Sequence, residues 1–137
     1  HFMCCIDKRA KFISPAEAVR SGISFLQKDD VCVFVSRGGK TKEMFPILDH
    51  CRVKGVKVIA ITEFMESPLA LMADVVLKQD VSRETDEGDG QGTTASTALA
   101  VIFHVLQTAL MEEIGFKNEQ FAVVHPGGAV GERLNNK

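Results

Sequence analysis

The sequence predicts an open α/β domain with a doubly wound, mainly parallel sheet and helices on both faces. Two observations carry this. Val31–Val35 and Val56–Ile61 are short, continuous and β-branched, the pattern of strands covered on both sides. Between and after them lie segments with helix start and stop signals, so strand and helix alternate along the chain. The 137 residues suit one compact domain.

Each element has a local reason. Ala10–Ile13 is expected to be extended, and Ser14-Pro15 opens a helix with proline in its first turn. Thr41 is expected to N-cap a helix to about Val53, which Gly55 ends in a left-handed turn. Ser67-Pro68 starts a short helix through Ala73, and Val75–Leu77 reads as another strand. From Ala95 to Ile114 the chain is helical and apolar nearly all round, with Gly115 as its stop. Such a helix is expected to be buried by the sheet and a second subunit. The opening His1-Phe2-Met3-Cys4-Cys5-Ile6 has the character of the end of an apolar helix. A doubly wound sheet begins with a central strand and its ligand-binding turn. Nothing before Ala10 supplies either, so a first βα unit is expected to precede His1, leaving residues 1–137 as a single domain incomplete at its N-terminus.

Apolar residues make up 45% and charged residues 25%, with a net charge of −2, which argues against nucleic acid or an anionic membrane as partner. No uninterrupted apolar run reaches the roughly 18 residues of a bilayer span, and the expectation is a cytoplasmic protein. Cys4, Cys5, Cys32 and Cys51 lack metal or redox spacing and read as structural thiols; no metal site is expected.

Four segments could carry chemistry. Ser36-Arg37-Gly38-Gly39-Lys40-Thr41 joins a buried strand to a helix N-terminus, where hydroxyls, close backbone approach and N–H groups suit an anion. Arg37 and Lys40 would add positive charge there. Ile61-Thr62-Glu63 with Ser67 occupies the next turn, where helix capping explains Ser67. Glu84 ends an extended piece beside the acidic, glycine-rich and mobile loop Thr85–Gly92. The hydroxyls of Thr93, Thr94, Ser96 and Thr97 then open the long helix, more than capping needs. Finally, His125-Pro126-Gly127-Gly128 places a histidine, which titrates near neutrality, in a specified turn. His50 and His104 lie on helices and read as structural.

Phe121-Ala122-x-x-His125-Pro126-Gly127-Gly128-Ala129-x-Gly131-x-x-Leu134 resembles the end of the sugar isomerase (SIS) domain of bacterial arabinose-5-phosphate isomerases. The resemblance extends over nearly the whole chain, through Ser14–Ala18, Val35–Glu43, Ala60–Thr62, Ser67–Ala70, Ala73-Asp74, Glu84 and Thr94–Thr97. It implies a flavodoxin-like three-layer sandwich and a cofactor-free isomerase of aldose and ketose phosphates, of the type without nucleotide-sensing CBS domains, serving capsule or polysaccharide synthesis. By the same resemblance Ser36, Gly38, Gly39, Thr41, Ser96 and Thr97 hold the phosphate. Glu84 moves the carbon-bound proton, His125 serves ring opening or the oxygens, and Glu43 is a third catalytic candidate. Arg20, Arg37 and Lys40 are candidate substrate or specificity contacts. Arg20 stands where the arabinose-phosphate enzymes carry histidine, Gly38 replaces a serine, and Lys40 a glutamate. The alternative is a regulatory SIS domain that binds a sugar phosphate without turnover. A nucleotide- or flavin-binding domain lacks the GxGxxG fingerprint. SIS domains pair, so a homodimer or homotetramer is expected.

Overall fold

The computed structural model describes residues 1–135. Its contacts divide the chain into two compact units, residues 13–98 and residues 1–12 with the chain from Leu99 onward.

Residues 13–98 are built on three parallel strands, β1 (Val31–Val35), β2 (Lys57–Thr62) and β3 (Val75–Lys78), in the order β1-β2-β3. The register sets Val31 opposite Lys57, Val35 opposite Ile61, and Thr62 opposite Lys78. Parallel neighbours need crossovers, supplied by α2 (Phe45–Lys54) and α3 (Pro68–Met72). Gly55, at φ 70°, returns its N–H to the last carbonyls of α2, the left-handed stop that the sequence predicts. Ser67 caps α3 by accepting the Ala70 N–H at 3.3 Å. Phe34, Val58 and Ala60 of the sheet meet Ile47, Leu48 and Cys51 of α2 and Leu69 of α3 in one core. A fully buried leucine or isoleucine in it contributes roughly 1.5–3 kcal/mol.

Several expectations are adjusted. Residues 8–14 carry no regular element, and the helix opened by Ser14 is a single turn, α1 (Pro15–Glu17). Its continuation, Ala18–Gly22, is a wider turn broken at Ser21, where φ is 73°. Burial on both faces holds for β2 but not for β1, whose Val31 and Val33 are exposed, because the core cluster lies on the opposite side of that strand. All four cysteines are free. Cys51 is fully buried, and the Cys32 thiol is pushed up by its hydrogen bond with Cys51 and then by burial.

The longest helix, α4 (Thr93–Ile114), runs through both units. It is the one described helix long and apolar enough, by length and composition, to cross a membrane. Counting uninterrupted apolar residues misses it because His104, Gln107 and several hydroxyls punctuate the run. Ala95 is its only buried residue, while Val101 and Val105 are exposed, so the expected burial by the sheet is not found.

In the second unit the rest of α4 ends at Gly115 (φ 61°) and is followed by α5 (Asn118–Val124) and α6 (Gly128–Asn135). The N-terminal turn Cys4–Ile6 belongs to the same unit. The Phe2 ring packs edge-on against His104 at 4.4 Å, and Gln107 donates to the Phe2 carbonyl at 3.1 Å.

Candidate functional site

The loop after β1 lies at the carboxyl ends of the strands, where open α/β sheets bind ligands. The Ser36 and Thr41 hydroxyls are 2.9 Å apart, and Ser36 Oγ also accepts the Gly39 N–H at 3.1 Å. Thr41 therefore makes no side-chain cap to the 3-10 turn Lys42–Met44 that precedes α2; its hydroxyl closes the loop instead. Gly39 sits at φ 62°, and a Cβ there would strike the Ser67 side chain. Gly38 faces open space, so it leaves room rather than serving packing. The N–H groups of Gly38, Lys40 and Thr41 take no acceptor among the described residues, which leaves donors for an incoming anion.

Arg37 does not extend this donor set. Its Nε meets Glu63 Oε2 at 2.5 Å and its Nη1 meets Glu84 Oε1 at 2.7 Å. The Glu63 hydrogen bond, opposed by desolvation, and then the charges of Glu63, Glu84 and Asp89 raise its affinity for the proton. Its own carbonyl accepts the Thr62 hydroxyl at 2.9 Å and the Glu63 N–H at 3.0 Å. The turn after β2, read from sequence mainly as a capping segment, is thus the floor of the β1 loop.

Glu84 is 1% exposed. Its second oxygen accepts the Thr93 hydroxyl at 3.2 Å and the Ala95 N–H at 3.1 Å, placing a carboxylate at the N-terminus of α4. Burial alone would raise its carboxyl pKa. The Ala95 N–H, the Thr93 hydroxyl, the Thr94 N–H and the Arg37 guanidinium outweigh burial and hold the group below the usual carboxylate range. The loop expected to be mobile is stitched together. Asp86 accepts the N–H groups of Gly90 (2.9 Å) and Gln91 (3.0 Å), Asp89 accepts the Glu84 N–H, and Thr85 bonds Thr93 at 2.8 Å.

The remaining candidates are spread more widely. Ser96 and Thr97 are exposed on the first turn of α4, their hydroxyls donating to the carbonyls of Gly92 and Thr93. Glu43 and Lys40 are exposed beside the β1 loop, and Arg20 is exposed in the broken turn after α1. His125 belongs to the other unit. It ends α5 with its N–H on the Phe121 carbonyl (2.9 Å), and its ring stacks on Phe121 at 5.2 Å. Gly131 lets α6 approach this turn, since a Cβ there would lie 2.5 Å from the His125 carbonyl. Sequence reasoning missed the pairing of Arg37 with Glu63, although Glu63 stands at a strand's carboxyl end, and the contact of Thr93 with Glu84. Among the described residues no three His, Cys, Asp or Glu side chains gather as a metal-ligand set.

Comparison with known proteins agrees with this geometry. Over 123 residues the chain is 38% identical to the arabinose 5-phosphate isomerase KdsD of Pseudomonas aeruginosa, covering 90% of this chain and 38% of that one. It is 35% identical over 128 residues to the arabinose 5-phosphate isomerase GutQ of Escherichia coli K12, covering 93% and 40%. The chain thus spans about two fifths of the length of these curated relatives. A solved protein of Escherichia coli CFT073, in complex with arabinose 5-phosphate, superposes with a TM-score of 0.86 at 26% identity, over 91% of this chain and 66% of that one. The parallel α/β sheet, the loops at its carboxyl edge and the match of residues 5–110 to the SIS domain model lead to one conclusion: the chain belongs to the SIS domain family.

Proposed function

We propose that this domain interconverts aldose and ketose phosphates, with arabinose 5-phosphate as the substrate to test first. The observation that carries this is the β1 loop, where unpaired N–H groups and the Ser36–Thr41 hydroxyl pair stand beside a buried carboxylate, Glu84, linked to the same loop through Arg37. The N–H groups of Gly38, Lys40 and Thr41, with Gly39 shaping the turn, receive the phosphate; Ser36, Thr41, Ser96 and Thr97 contribute hydroxyls, and Lys40 a cation. Arg20 is left for specificity at the sugar.

Phosphate binding remote from the reacting carbons orients the sugar. Glu84 then takes the proton from the carbon next to the carbonyl of the open-chain aldose, giving an enediol, and returns it to the neighbouring carbon. His125 moves the oxygen-bound protons and opens the ring, with Glu43 as a further acid–base group. His125 and Glu43 enter through the family resemblance. The reaction needs no cofactor and acts in the cytoplasm, with both units serving one domain. The test is incubation of purified protein with arabinose 5-phosphate: the corresponding ketose phosphate is expected, and no conversion across a panel of pentose and hexose phosphates refutes the proposal.

A second reading, a domain that binds a sugar phosphate without turnover, is favoured by the engagement of both Glu84 oxygens. Thermal stabilisation by arabinose 5-phosphate without conversion selects it.

Assembly into a homodimer or homotetramer belongs to the proposal. Val101 and Val105 stand one turn apart on α4 and are 54% and 62% exposed. Sedimentation at micromolar concentration should give a dimer or tetramer that Val105→Glu dissociates, and a monomeric wild type would overturn this assignment.

A further inference from the structure

We propose that Arg37 is a positioning residue for Glu84 and that Glu63 is its anchor, the three side chains forming a bridge that holds the Glu84 carboxylate as a fixed anion between the β1 loop and the start of α4. The inference rests on the reading of Glu84 as the proton-transferring base, and it assigns Arg37 to that base rather than to the phosphate.

The geometry argues for this assignment. An arginine in a glycine-rich anion loop would ordinarily serve the anion, but this guanidinium is forked between two carboxylates at 2.5 and 2.7 Å. One cation shared by two anions leaves the cluster with a net negative charge, so Arg37 offers no spare positive charge to a phosphate. Both ends of Arg37 are also held by one short segment. Glu63 takes Nε, while the Thr62 hydroxyl and the Glu63 N–H take its carbonyl. Thr62 is fully buried, so the anchor is part of the core. From that anchor the guanidinium reaches Glu84 Oε1, while the Thr93 hydroxyl and Ala95 N–H fix Oε2. With both oxygens held, the carboxylate has one orientation, and a preoriented base needs little reorganisation when the substrate arrives. A planar fork with separate donors suits this task, and the single ammonium of lysine does not reproduce it.

The charged and titratable groups facing Glu84 are few. Arg37 and, through it, Glu63 approach from the loop and the β2 turn. Asp89 accepts its N–H, and Arg83 Nε donates to its carbonyl at 3.3 Å. Removing the cation leaves a buried carboxylate among acids, so its proton affinity must rise.

The test follows the Glu84 carboxyl by carbon-13 NMR against pH in the ligand-free full chain, the signal being assigned by its loss in Glu84→Gln. In Arg37→Gln the midpoint should rise by about one unit or more; in Arg37→Lys, which keeps the charge, it should stay within about half a unit of wild type. With arabinose 5-phosphate, Arg37→Gln should lower kcat about 10- to 100-fold with little change in KM, and Arg37→Lys should recover part of it. An unmoved Glu84 midpoint in Arg37→Gln overturns the inference. A moved midpoint together with full turnover by Glu84→Gln would instead overturn the role of Glu84 as base and leave the bridge standing. Should Arg37→Gln not fold, the wild-type Arg37 Nη signals decide: they should shift at the Glu84 midpoint, and indifference to it counts against the bridge.

Discussion

Glu84→Gln is expected to lower kcat for arabinose 5-phosphate about 10²- to 10⁴-fold, the range typical of losing a positioned general base, with KM nearly unchanged. Glutamine keeps the length of the side chain and one acceptor oxygen, which can still face Arg37 or the Thr93 hydroxyl and Ala95 N–H. What it loses is the ability to take a proton, so a selective fall in kcat isolates that role. The pH dependence follows from the same contacts. Burial works against the charged form, but the Ala95 N–H, the Thr93 hydroxyl, the Thr94 N–H and Arg37 hold the folded carboxyl below its unfolded value. The active base is therefore fully present above the ordinary glutamate value of about 4.3, and it is lost only as pH falls through the lower folded midpoint. The acid limb of kcat/KM, where Glu84 sets it, should lie below that value. Steady-state rates with arabinose 5-phosphate between pH 4 and 8 check both points. A glutamine variant within about threefold of wild type would remove Glu84 from the reaction and leave the binding-only reading in force.

The parallel sheet was legible because β-branched runs, Ser67-Pro68 and Gly55 are local signals whose physics does not depend on partners. The loop after β1 was legible for the same reason: glycines between a strand and a helix have few other uses. Arg37 shows where such reading stops. Its sequence neighbours are Ser36 and Gly38, which point to an anion, yet its partners stand 26 and 47 residues away. Only the strand register and the turn after β2 bring them together. Ser96 and Thr97 show a second limit, since a hydroxyl at a helix start can serve a ligand or its own helix. Here both bond carbonyls of the preceding turn, a choice that composition does not reveal. The acidic loop Thr85–Gly92 reads as mobile because glycine and aspartate favour turns. Its order comes from Asp86 and Asp89 accepting specific backbone N–H groups.

Gly39→Ala is expected to destabilise the fold by roughly 2–4 kcal/mol, combining left-handed backbone strain with overpacking. Residue 39 holds φ 62°, which a side chain resists. The added Cβ would also fall on Oγ and Cβ of Ser67 and come within 3.0 Å of Thr62 Oγ1. Neither neighbour can yield easily. Ser67 is 2% exposed and caps α3, and the Thr62 hydroxyl is committed to the Arg37 carbonyl. The Gly39 carbonyl accepts the Leu69 N–H at 3.1 Å, so pushing the loop outward would also break its tie to α3. Denaturant unfolding of Gly39→Ala, Ser67→Gly and the double variant separates the two contributions. Ser67→Gly removes the obstructing atoms but not the backbone strain. The double variant should therefore be more stable than additivity predicts by about 1 kcal/mol or more, the size of coupling expected of residues in contact. Strict additivity would mean that the cost comes from φ alone, and a cost below about 0.5 kcal/mol for Gly39→Ala would contradict the packing of this loop against α3. Because Gly39 lies between Ser36 and Thr41, the same substitution should weaken the binding of arabinose 5-phosphate in whatever fraction still folds, coupling the stability of the turn to the site it forms.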